Sequence, residues 1–182
     1  MDEMQQTRDE RQWFALRDLK RWNAKLPAYR LFQQLEIEYF TPMVYRLVNI
    51  HGKRENLEIP FMQDLLFVKE TRENLDPIVD STPTLQYRYI RGAQHTPMVI
   101  RTADMERFIY AVQSLGRPQY YRPDEITADM RNRKIRIIGG RLDGFEGYLL
   151  TVRGSKVKRL LVELPNFLAA SVEGQPEYIQ LI

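Results

Sequence analysis

Lys134-Ile135-Arg136-Ile137-Ile138-Gly139-Gly140-Arg141-Leu142-Asp143-Gly144-Phe145-Glu146-Gly147-Tyr148-Leu149-Leu150 is the stretch on which the reading of this chain turns. Ile135 and Ile137 alternate with Lys134 and Arg136, a period of two that predicts a half-buried strand. Gly139, Gly140 and Gly144 then punctuate the chain, and Tyr148 to Val152 and Leu160 to Leu164 resume β-rich composition. No helical stripe is visible from Lys134 to Ile182. About five short strands with glycines at the bends predict a small barrel that closes its own edges. Neither the dinucleotide fingerprint nor the Walker spacing fits the glycines, and no helix follows to supply a dipole, so they read as a β-bend.

Upstream, Gly116-Arg117-Pro118-Gln119-Tyr120-Tyr121-Arg122-Pro123-Asp124 lacks periodicity and holds two prolines, a linker composition. Before it the pattern is mixed. Trp13-Phe14-Ala15-Leu16 reads as a buried strand. Asn23 can cap a helix from about Lys25 to Glu36, with Ala28, Leu31, Phe32 and Leu35 on one stripe and Pro27 in its first turn. Glu38 to Val48 alternates with period two, and Pro42 marks an edge, a bulge or a break. His51 to Asn56 reads as a polar hairpin tip with adjacent cations at Lys53 and Arg54. Leu57 to Pro60, Leu65 to Lys69, Leu85 to Tyr89 and Pro97 to Ile100 are extended, and Asn74 to Ser81 holds a helical turn interrupted by Pro77. Thr102 can cap a helix carrying Met105, Phe108, Ile109 and Val112, ended by Gly116. The expectation is an α+β fold in three segments: an antiparallel sheet flanked by helices over residues 10–115, a linker over 116–133 and a small β-barrel over 134–182.

Composition narrows the chemistry. The 182 residues are 43% hydrophobic and 28% charged, a globular mix. Zero cysteines exclude disulfides, thiolate metal sites and a cysteine nucleophile. His51 and His95 lack a carboxylate at catalytic spacing, there is no Gly-x-Ser-x-Gly elbow, and Asp143 with Glu146 reads as a pair of solvated turn residues. No catalytic residue, metal site or cofactor is expected, and the chain is read as something other than an enzyme. Met1 to Gln6 lacks the pattern of a secretion signal and no apolar run is long enough to span a bilayer, so a cytoplasmic protein without membrane contact is expected.

The positive signals are of a binding kind. With 27 Lys+Arg against 24 Asp+Glu, net charge is +3, too little for strong duplex binding by charge alone. Cations cluster locally at Lys20 and Arg21, at Lys53 and Arg54, and at Lys156, Lys158 and Arg159. Tyr39, Phe40, Tyr45 and Phe67, with Met62 and Leu65, exceed what one helix stripe needs to cover, so they divide between core and an exposed apolar patch.

Taken together the arrangement resembles the NusG family of transcription elongation factors, an N-terminal NGN domain tethered to a C-terminal KOW domain. The 134–150 stretch, followed by Arg159-Leu160-Leu161-Val162-Glu163-Leu164, is similar to the KOW pattern of apolar strand, glycine turn, Phe/Val-x-Gly and apolar strand. Trp13-Phe14-Ala15-Leu16, Thr41-Pro42-Met43 and Ile59-Pro60-Phe61-Met62-Gln63-Asp64-Leu65-Leu66-Phe67-Val68 resemble segments of the NGN domain. Gln63-Asp64 replaces the usual Pro-Gly and Leu65 the usual Tyr, which points to a specialised paralogue similar to the UpxY-type antiterminators of polysaccharide operons.

The resemblance implies an apolar depression that docks on the clamp helices of the largest RNA polymerase subunit, with Met62, Leu65, Phe67 and Val99 at that interface. It implies that Lys20 and Arg21 meet non-template DNA, with Lys53 and Arg54 as further nucleic-acid contacts. Lys156, Lys158 and Arg159 are candidates to meet a KOW partner: nascent RNA, a ribosomal protein or a termination factor. It also implies a monomer, Ile135 and Ile137 facing the barrel core, and Gly147 permitting a backbone bend. The alternative from another class is an RNA-binding or ribosome-associated module acting mainly through the barrel.

Overall fold

The computed structural model describes residues 10–21, 23–151, 153–154, 156–173 and 179–182. Met1 to Gln6, Trp22, Ser155, and Val152, read above as a strand end, lie outside the described residues. The chain is α+β and divides into two compact units between Thr102 and Ala103.

In the first unit, β1 (Gln12–Asp18) is the centre of an antiparallel sheet. It pairs on one side with β5 (Leu66–Glu70), which carries the two-residue β2 (Tyr39–Phe40) on its far edge. On its other side β1 pairs with β6 (Leu85–Tyr87) and β7 (Val99–Ile100). Phe14, Leu16, Leu66, Val68, Leu85 and Tyr87 form the core of one face, with Ala28 and Phe32 of α1 (Ala28–Gln34) and Leu75 of α2 (Arg72–Ser81). Residues in between, Trp13, Ala15 and Phe67, point to the opposite face and are also buried.

The local chemistry explains several departures from the expected boundaries. Helix α1 starts later than Lys25 because Pro27 stands at its N-cap, where it offers no side-chain cap. The Asp18 carboxylate of β1 substitues for one by accepting the N–H groups of Ala28 at 2.7 Å and Lys20 at 2.9 Å. Thr71 caps α2 by accepting the Asn74 N–H at 3.2 Å, and the helix continues through Pro77 for ten residues. At Pro42 the expected run breaks into β2 and β3 (Met43–Ile50). β3 pairs along its whole length with β4 (Lys53–Pro60) as a separate two-stranded ribbon. Its turn is only His51-Gly52, both with positive φ, so Lys53 to Asn56 belong to a strand rather than to the hairpin tip.

The second unit opens with α3 (Thr102–Ser114), in which Met105, Phe108, Ala111 and Val112 are buried. A six-stranded antiparallel sheet follows, in the order β13-β9-β10-β11-β12-β8. Its members are β8 (Gly116–Tyr121), β9 (Lys134–Ile137), β10 (Glu146–Thr151), β11 (Lys158–Leu164), β12 (Leu168–Glu173) and β13 (Ile179–Leu181). Residues 116–121, expected to be linker, are thus a strand paired to β12, with Tyr120 opposite Ala170 and Tyr121 opposite Ala169. Composition misled here because an edge strand tolerates Pro118 and a polar outer face. The five strands expected from 134–182 are present, and the pairing path leaves β13 and β8 at its two ends.

Ile135 and Ile137 are buried and alternate with exposed Lys134 and Arg136. The glycine bend forms a short 3-10 turn over Gly140–Leu142, with Asp143 Oδ1 accepting the Gly139 N–H at 2.6 Å. Glu146 takes Lys134 Nζ at 2.6 Å and Arg136 Nη2 at 2.8 Å, and the hydrogen bond from Lys134, then that from Arg136, holds its carboxyl below the usual range. Gly147 is required for a reason other than a bend: a Cβ there would lie 2.5 Å from the Leu161 carbonyl oxygen and 3.3 Å from Leu160 Cδ1. Gly147→Ala must push β10 away from β11. We expect it to cost about 3 kcal/mol, read as early thermal unfolding of the second unit with the first unit's transition unchanged.

Candidate docking and nucleic-acid surfaces

The end of β1 and the start of α1 build a cationic depression. The Asp18 cap folds the intervening loop back, and Lys20 Nζ donates to the Leu26 carbonyl at 2.8 Å, while Gln63 Nε2 donates to the Lys20 carbonyl. A cavity of about 480 Å³ opens there, lined by Lys20, Ala24, Lys25, Leu26 and Gln34. The side chains of Arg21 and Lys25 are exposed and have no ion pair or hydrogen bond among the described residues. Lys25 was not singled out by sequence, because its distance from Lys20 along the chain hides that the loop returns it to the same hollow. With Lys20 anchored to a carbonyl, Arg21 and Lys25 are the cations here whose side chains have no partner among the described residues.

Lys53 and Arg54 are both exposed, but they are successive residues of β4 and project from opposite faces of the ribbon, beside Ile50 and Asn49 respectively. They do not form one cationic pair. The ribbon instead exposes Tyr45 at 69% and Leu47 at 65%, two positions apart on one face of β3. Of the aromatic set, Tyr45 is therefore the exposed member, while Phe40 and Phe67 stack with ring centroids 6.4 Å apart inside the first unit.

The expected interface residues are not brought together. Leu65 is 1% exposed and Phe67 0%, whereas Met62 is half-buried and Val99 is 46% exposed. The register opposes Phe67 to Ala15 and Val99 to Phe14, which places Phe67 and Val99 on opposite faces of the sheet. Leu65 and Phe67 are thus core residues in this structure. The physical reason is that both faces of β5 are covered, so an apolar run there carries no mark of which residues face a partner.

In the second unit Lys156 and Lys158 are exposed, but Arg159 is 8% exposed and built into the sheet. Its Nε donates to Ser171 Oγ at 3.0 Å, and its Nη2 donates to the Ser171 carbonyl at 2.7 Å and to the Arg117 carbonyl. Ser171 Oγ also lies 3.2 Å from the Tyr121 hydroxyl, so one guanidinium ties β11, β12 and β8 together. Arg159 is a structural cation and not the partner contact expected for it. Tyr120, which alternates with Tyr121 and so projects from the other face of β8, has its hydroxyl pushed up to about 12 by burial. The Arg141 guanidinium stacks over the Tyr110 ring at 4.6 Å.

Among the described residues no group of three His, Cys, Asp or Glu side chains is placed to hold a metal ion. No helix among the described residues is long and apolar enough to cross a membrane. A scan against protein-family models finds no match, and neither does a search of curated proteins. Among solved structures the chain is similar to one described as domain interaction in Thermotoga maritima NusG. That alignment covers 95% of this chain and 98% of that one, with 12% identity and a TM-score of 0.47.

Proposed function

We propose that the protein is a transcription elongation or antitermination factor of the NusG type, with no catalytic centre of its own. In this reading the first unit is an NGN domain that docks on the clamp helices of RNA polymerase and touches non-template DNA, and the second is a KOW domain. The observation that carries it is Gly147: the KOW-like stretch forms adjacent antiparallel strands, and its glycine sits where a neighbouring carbonyl forbids any side chain. With Leu65 and Phe67 buried, the accessible Met62 and Val99 are the members of the expected interface left to offer docking contacts, and Tyr45 and Leu47 expose further apolar side chains on β3. Service to one class of operon, of the polysaccharide type, follows from the departure at Gln63-Asp64. Holding the clamp closed suppresses pausing without any bond being made or broken.

The deciding experiment is a paused-transcription assay with purified polymerase, paired with capture on isolated clamp helices. Wild type shortens pauses and is captured; Met62→Asp with Val99→Asp abolishes both. Absence of polymerase association by the wild type overturns the reading. For the DNA contact, Arg21→Ala with Lys25→Ala removes two phosphate partners and lowers the slope of log K against log salt by about 1.5 on single-stranded DNA. An unchanged slope removes the cationic depression from the mechanism. An RNA module acting through the second unit would instead lose its function on charge reversal at Lys156 and Lys158.

A further inference from the structure

The open end of the first sheet holds a groove that none of these surfaces uses. Helix α2 ends beside Val79 and Asp80, the chain turns through Thr82 and Pro83 into β6, and the bridge between Tyr89 and Pro97 brings His95 back against Tyr89. The space between is an open groove of about 400 Å³ whose walls include Val79, Asp80, Pro83, Tyr87, Tyr89 and His95. Its aromatic wall is continuous: Tyr87 and Tyr89 have centroids 6.3 Å apart, and His95 meets Tyr89 edge-on at 5.5 Å. Tyr89 is 47% exposed. Among the described residues Asp80 contributes the one formal charge of the lining, which holds no lysine or arginine although the chain has 27. The Asp80 carboxylate is exposed and has no hydrogen bond or ion pair among the described residues.

The same unit already shows what such a combination binds. The Arg72 guanidinium lies 5.0 Å from the Tyr87 ring centroid and donates to Asp76 at 2.6 Å and 3.0 Å, while the Tyr87 hydroxyl donates to the same carboxylate at 2.7 Å. Ring faces carry negative potential, so a tyrosine wall and a carboxylate both favour a planar cation. The Arg72 charge beside Tyr87 is already matched by Asp76, so a phosphate-bearing ligand would meet the Asp80 charge with no lysine or arginine of the lining to offset it. We propose that this groove receives a basic side chain of a protein partner, arginine before lysine, with the guanidinium stacked on the Tyr89 wall and Asp80 as its counter-charge. The site shares no residue with the cationic depression or with Met62 and Val99, so its failure leaves the proposed function standing, and the reverse.

The test is an amide NMR titration of the full chain with N-acetyl-arginyl-glycinamide, its citrulline isostere and uridine monophosphate. The arginine probe shifts the amides of Asp80, Gln86 and Tyr89 saturably, and the uncharged citrulline probe binds about fivefold more weakly. Asp80→Asn and Tyr89→Ala each weaken the arginine probe about threefold, while Tyr89→Phe keeps the ring and the affinity. Equal binding of citrulline, unchanged affinity in both weakening variants, absence of saturable shifts, or uridine monophosphate binding there in place of arginine would each overturn the proposal.

Discussion

Phe67→Ala unfolds the first unit more readily by about 4 kcal/mol, seen as a lower urea midpoint reported by the near-ultraviolet signal of buried aromatics such as Trp13. Phe67 is fully buried, sits opposite Ala15 and Phe40 in the sheet, and stacks on the Phe40 ring, so truncation leaves a cavity walled by rigid strands. The consequence for function is direct. A loss of polymerase binding in this variant would follow from unfolding and would say nothing about an interface. Met62→Asp and Val99→Asp change accessible side chains and separate the two effects. If Phe67→Ala kept wild-type stability and lost only partner binding, the burial of Phe67 in the working state would be wrong.

Arg159→Ala costs the second unit about 3 kcal/mol and selectively frees β8. Removing the guanidinium takes a donor from the buried Ser171 carbonyl and from the part-buried Arg117 carbonyl, and leaves the Ser171 hydroxyl with the Tyr121 hydroxyl alone. Because β8 lies at the end of the sheet and, among the described residues, pairs only with β12, it has little to hold it once those bonds go. Amide hydrogen exchange at residues 117–121 should rise far more than at Leu160 to Leu164. Arg159→Lys does not restore protection, since an ammonium cannot reproduce the planar fork that reaches both carbonyls and the hydroxyl. Lys158→Ala, one residue away and exposed, changes stability by less than about 0.5 kcal/mol. Equal effects at the two positions would contradict the network.

The contrast between neighbouring cations shows where sequence reading stops. Lys158 and Arg159 are equivalent as composition, yet one is solvated and the other is a bolt across three strands. β11 is buried on both faces, so no alternation betrays which side chain points inward. The same holds for β5, where Leu65 to Val68 is one unbroken apolar run. Where one face is solvated the periodicity is legible: the alternation of exposed Lys134 and Arg136 with buried Ile135 and Ile137, and the stripe of Met105, Phe108 and Val112 on α3, are found as expected. Sites made by loop closure, such as Lys25 beside Lys20 and His95 beside Tyr89, left no local signal.

By itself the sequence determined the α+β class, the strands on either side of the glycine turn and the absence of thiol chemistry. These rest on short-range periodicity, backbone freedom at glycine and residue identity, all of which are local. Only the tertiary structure decided that residues 116–121 are a strand, that Arg159, Leu65 and Phe67 are interior, and that Asp80 shares a groove with Tyr89. Those outcomes depend on which distant segment supplies the hydrogen-bond partner or covers the second face, and that information is carried by packing between segments rather than by any one of them.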